Sequence, residues 1–87
     1  MNSKDIKKLR KNLGLNQAKF GDLLGAHPMT VSKWERDELK PSDYQKTLIT
    51  EFQQAAKDEK VKENLKTILL GAGIAAALYF ILKSTRS

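Results

Sequence analysis

The stretch Leu13-Gly-Leu-Asn-Gln-Ala-Lys-Phe-Gly-Asp-Leu-Leu-Gly-Ala-His-Pro-Met-Thr-Val-Ser-Lys-Trp-Glu-Arg36 decides the fold. Asn16 is a strong N-cap for a helix over Gln17–Leu24, because its side-chain oxygen can accept an otherwise orphaned N–H of the first turn. Gly25 stops that helix, since glycine enters the left-handed region without steric penalty. His27 then stands at an N-cap and Pro28 at the first helical position, where its missing N–H would be unpaired anyway. The next helix runs to about Glu35. The spacing buries Phe20 and Leu24 in the first helix, and Val31 and Trp34 in the second.

Two short helices joined by a tight turn at Gly25 are the outline of a helix-turn-helix. Upstream, Ile6, Leu9 and Leu13 repeat at helical spacing. Ser3 is the expected cap of that helix and Gly14 its stop. Downstream, Pro41 is followed by Ser42, with Gln45 three residues on, which is a capping-box spacing. The helix it opens carries apolar residues at Tyr44, Leu48, Ile49, Phe52 and Ala55 or Ala56.

These residues resemble the Cro and lambda-repressor helix-turn-helix family, without a gap from about Ile6 to Ser42. The resemblance rests on Gln17 at the start of the second helix, Gly25 in the turn, the run from Thr30 to Glu35, and the exit Lys40-Pro41-Ser42. It implies that Met29, Ser32 and Lys33 contact base edges of double-stranded DNA, and that Gln17, Thr30 and Arg36 contact phosphates. It also implies that Arg10 and Glu35 form a buried salt bridge tying the first helix to the third. Two positions depart from the family pattern. Asp37 stands where glycine is usual, so the turn after the third helix needs a left-handed Asp. Gly21 stands where alanine is usual, which fits a close approach between helices but lowers helix propensity. Pro28 replaces a glutamine that many relatives use for a side-chain hydrogen bond, which thins the base readout.

Charge divides the chain. Residues 1–42 hold nine basic and five acidic side chains, a net +4, and residues 43–66 hold five of each. The whole chain of 87 residues carries +6, which favours a polyanionic partner. Lys4, Lys7, Lys8, Lys11, Lys19 and Lys40 add to this field, and the sequence leaves open which of them face DNA. With no cysteine and a single His27, thiolate sites and histidine-cluster metal sites are excluded and a histidine-based triad is disfavoured. No constellation of acid, base and nucleophile appears, so an enzyme is disfavoured, and no cofactor or metal is implied.

Residues 67–82 contain no charge at all. As one helix this run would measure about 24 Å, slightly short of a hydrocarbon core of about 30 Å, with Lys66 and Lys83 placed to snorkel. The fold expected is therefore all-α: a helix-turn-helix bundle of four to five helices over 1–56, a charged helical linker over 57–66, a long hydrophobic, transmembrane helix over 67–82, and a short basic tail over 83–87. Lys57, Lys60, Lys62 and Lys66 before the run, against Lys83 and Arg86 after it, place the N-terminal domain in the cytoplasm and the anchor in the inner (cytoplasmic) membrane. The pairs Gly71/Ala75, Ala72/Ala76 and Gly73/Ala77 are small-xxx-small spacings that let two such helices approach closely, hence a homodimer or higher self-association. Three functions fit: a membrane-anchored, sequence-specific transcriptional regulator; a membrane-anchored protein-interaction module, as in cell-shape proteins with a similar domain; or a soluble, cytoplasmic repressor that oligomerises through the apolar tail.

Overall fold

The computed structural model describes residues 1–71 and 73–84. Among these, six helices form and no strand: α1 (Ser3–Asn12), α2 (Gln17–Leu24), α3 (Pro28–Glu35), α4 (Asp43–Ala56), α5 (Glu59–Gly71) and α6 (Ile74–Ser84). Local capping chemistry sets most boundaries. Asn2, rather than the expected Ser3, caps α1: it accepts the Asp5 N–H at 2.9 Å, and Asp5 accepts the Asn2 N–H at 3.2 Å. An amide oxygen with an acidic residue three places on satisfies both donors, which Ser3 one position later does not. Gly14, at φ 71°, ends the helix, with the Leu15 N–H bonded to the Arg10 carbonyl and the Gly14 N–H to that of Lys11. Asn16 caps α2 through the Lys19 N–H at 2.8 Å. The Nδ1 of His27 accepts the Met29 N–H at 3.1 Å and opens α3. Ser42 and Gln45 form the expected capping box on α4, and the Gln45 amide also reaches the Leu24 carbonyl at 3.4 Å.

The core is one apolar cluster. Ile6, Leu9 and Leu13 of the α1 region meet Phe20, Leu23 and Leu24, then Val31 and Trp34, and finally Leu48, Ile49 and Phe52. Tyr44 departs from expectation: it is 69% exposed, because the first turn of α4 has not yet reached the core. Gly21 is where α2 passes closest to the turn. A Cβ there would lie 2.3 Å from the Ala26 carbonyl oxygen.

The C-terminal third differs most from expectation. After Ala56 the chain turns, and the Asp58 carboxylate accepts the N–H groups of Lys60 and Val61 at 2.9 and 3.1 Å to start α5. Asp58 caps α5, and within its first turn Lys62 pairs with Glu59 at 3.3 Å. The uncharged run is then split. α5 ends at Gly71, Gly73 takes φ 92° and donates to the Ile68 carbonyl at 2.9 Å, and α6 starts at Ile74. α6 folds back against α5, α2 and α4. Leu65, Leu69, Ala77 and Ile81 enter the same buried cluster as Phe20 and Phe52.

The single long C-terminal helix is therefore corrected to a helical hairpin. No helix among the described residues is long and apolar enough to cross a membrane, so the transmembrane span and its lipid partner lose their structural basis. The reason is physical: a left-handed glycine breaks the run, and the apolar side chains find a protein core within reach. Gly71/Ala75 straddles the break, whereas Gly73 opens α6 and its carbonyl accepts the Ala77 N–H at 3.2 Å. Ala72, and Arg86 in the basic tail, lie outside the described residues.

Candidate nucleic-acid interface

α3 has two faces. Val31 and Trp34 are buried against the core. At 3.6 residues per turn, Met29, Ser32, Lys33 and Arg36 fall together on the opposite side. Met29 is 58% exposed, an unusual placement for a large apolar side chain. Lys33 and Arg36 are exposed and Ser32 is half-buried. Thr30 sits at the edge of this face and is also half-buried. The helix is eight residues long, about 12 Å, and its outward face carries a cation, a hydroxyl and a thioether without obstruction. Those groups can donate to guanine O6 and N7, or pack on a thymine methyl, within a major groove about 12 Å wide.

The turn after α3 shapes the edge of this face. Asp37 adopts φ 61°, the left-handed conformation expected at the position where the family has glycine. The Asp37 N–H bonds to the Trp34 carbonyl at 3.2 Å and the Glu38 N–H to that of Lys33 at 2.8 Å, a Schellman closure. Arg36 folds back over it, its Nε donating to the Ser32 carbonyl at 3.3 Å and its Nη1 pairing with Glu38 at 3.1 Å. Both partners are about half exposed, so this pair holds Arg36 only weakly.

Behind α3, Arg10 and Glu35 form a two-point ion pair. Nε donates to Oε2 at 2.6 Å and Nη2 to Oε1 at 2.9 Å, with side-chain exposures of 13% and 5%. The remaining Arg10 nitrogen, Nη1, donates to the Leu15 carbonyl at 3.0 Å. One guanidinium thus fixes α1, the turn after it and α3. Burial pushes the Glu35 carboxyl up, but hydrogen bonds from Arg10 and Gln17, with the charges of Arg10 and Lys7, outweigh it and hold the group below its ordinary range. The hydrogen bond to Glu35 and its charge raise Arg10 further against a smaller opposing effect of burial.

Gln17 is the site residue whose surroundings the sequence did not reveal. Its amide donates to Glu35 Oε1 at 3.4 Å, so its side chain is turned toward the ion pair. The only sequence signal was helical position, since Gln17 opens α2 and Glu35 closes α3. The Glu38 contact with Arg36 was likewise unforeseen, although a carboxylate two residues past an arginine in a tight turn is a recognisable pattern. Among the described residues, no group of histidines and carboxylates is arranged to hold a metal ion.

Neither the comparison with curated proteins nor that with solved structures gives a match. A protein-family model described as helix-turn-helix does match, over residues 6–43. That span runs from α1 to the start of α4 and contains the Arg10–Glu35 pair, both helices around Gly25 and the whole outward face of α3, so residues 6–43 are similar to that family in the part that carries the candidate interface.

Proposed function

We propose that the chain is a sequence-specific DNA-binding transcriptional regulator, a repressor that acts as a homodimer on a two-fold site. The observation that carries the DNA-binding reading is the outward face of α3, with Lys33, Ser32, Met29 and Arg36 exposed or half-exposed opposite the buried Val31 and Trp34. The family match over residues 6–43 supports the same reading. In it, Lys33 donates to a guanine, Met29 packs on a thymine methyl and Ser32 contacts a base edge. Thr30 and Arg36 bind phosphate oxygens and set the register of α3 in the groove. Arg36 leaves its exposed pair with Glu38 at little cost. Gln17 exchanges its long bond to Glu35 for a phosphate oxygen at the first turn of α2.

The test is selection from a pool of randomised duplexes, followed by titration of the recovered site. Lys33→Ala should relax the preference at one base pair and weaken binding there by about 1–3 kcal/mol. Arg36→Ala should weaken all sequences alike. A chain that enriches no sequence over the starting pool is not a sequence-specific regulator.

A further inference from the structure

We propose that Lys4, Lys7, Lys8 and Lys11, on the outer face of α1, bind the phosphate backbone of the duplex that α3 reads. The inference rests on the function proposed above and adds a second contact surface to it.

The four lysines stand at helical spacings of three, one and three residues. At about 100° per residue they occupy one arc of the helix, opposite Ile6, Leu9 and Leu13. All four are exposed, and with Asn12 they line a shallow depression. No carboxylate neutralises them: among the described residues none of the four is in an ion pair. Asp5 on the same helix is held in the capping box with Asn2, and Glu35 is paired with Arg10. The spacing suits a polyphosphate, since Lys4 to Lys11 rises about 10 Å along α1. One DNA strand rises about 3.4 Å per phosphate along the duplex axis and winds as it rises, so the arc with its long side chains can meet two or three successive phosphates.

Position selects the same duplex. α1 packs directly on α3. Lys7 is close enough to Glu35, at the end of α3, for its charge to favour the ionised carboxyl. Arg10, which stands between Lys7 and Lys11 on α1, bonds Glu35 at 2.6 Å, so the Lys7 edge of the cationic arc lies beside the C-terminal end of α3. An anionic lipid surface is the weaker occupant. Surface-bound amphipathic helices insert apolar side chains as well as charge, and those of α1 are in the core.

The experiment compares the full chain with the quadruple variant Lys4→Gln, Lys7→Gln, Lys8→Gln, Lys11→Gln. Glutamine matches lysine closely in helix propensity, and the fluorescence of the buried Trp34 checks that the variant is folded. Binding to a mixed-sequence duplex and to the selected site is titrated over a range of salt. The expected result is a slope of log affinity against log salt that is shallower by about 2–3, at roughly 0.9 for each phosphate neutralised, with base preference retained. A slope equal to that of the unaltered chain overturns the inference and leaves the α3 reading standing. An unaltered chain that binds no DNA removes both. Lysine-dependent capture by phosphatidylserine vesicles, with an unchanged DNA slope, assigns the arc to lipid and also overturns it.

Discussion

At the scale of single residues, the Arg10–Glu35 pair is the most heavily determined contact in the molecule. Every nitrogen of the guanidinium has a partner within 3.0 Å, and both side chains are nearly out of solvent. Deleting one partner leaves the other buried and uncompensated, so Glu35→Gln should lower the unfolding free energy by about 3 kcal/mol in a urea titration followed by Trp34 fluorescence. A loss under about 1 kcal/mol would show that solvent already screens the pair. The pH dependence has a definite sign. The folded Glu35 carboxyl lies below its ordinary range, so its contribution is complete above about pH 5 and fades as pH falls through the folded value. The urea midpoint of the unaltered chain should therefore drop more steeply on acidification than that of Glu35→Gln. Asp37 makes a second residue-scale case. It holds φ 61° with a Cβ that disfavours that region. Asp37→Gly should stabilise the fold by about 0.5–1 kcal/mol, raising the Tm by a few degrees. An unchanged Tm would mean that the Asp side chain compensates locally.

At the scale of elements, α2 and α3 are held at a fixed angle by a turn with no spare room. The Ala26 N–H bonds to the Gly21 carbonyl at 2.8 Å, and the Ala26 carbonyl lies over the Gly21 Cα. Alanine would improve helix propensity by about 1 kcal/mol. Its methyl, however, would sit 2.3 Å from a backbone oxygen that cannot rotate away. Gly21→Ala should thus be net destabilising by about 1 kcal/mol or more, despite alanine being usual at this place in the family. A higher denaturation midpoint for the variant would show that the turn can open. The same elements explain what the sequence disclosed. Asn16, Gly25, His27 and Ser42 act through bonds to residues at most four places away, and Pro28 through its own ring and missing N–H, so local pattern finds them. The outward face of α3 is the complement of Val31 and Trp34, so helical period finds it too. Gln17 and Glu35 are 18 residues apart, and no local rule connects them. The tail is ambiguous in sequence for a related reason. An uncharged run looks alike whether lipid or protein covers it, and Gly71 and Gly73 suit close helix packing as readily as a chain reversal.

At the scale of the whole molecule, the hairpin of α5 and α6 completes the core that supports the reading helix. Leu65 is fully buried, and Phe20 and Phe52 belong to the cluster it joins. One turn and a residue later, Leu70 is 91% exposed. This contrast separates a structural tail from an anchor that merely begins after the domain. If α5 is part of the fold, Leu65→Ala should cost about 2–5 kcal/mol, and Leu70→Ala should stay within about 0.5 kcal/mol of the unaltered chain. Both effects are read from urea unfolding of the full chain by Trp34 fluorescence, a probe that sits on α3 and not on the tail. A shift at Trp34 on altering Leu65 therefore reports cooperation between the two ends of the chain. The consequence reaches the interface. Because α3 keeps its angle only while the core behind it is filled, Leu65→Ala should also weaken DNA binding at temperatures near its lowered Tm, and leave it intact well below. Two equally silent leucine variants would return the tail to the status of an appendage, with the helix-turn-helix standing alone.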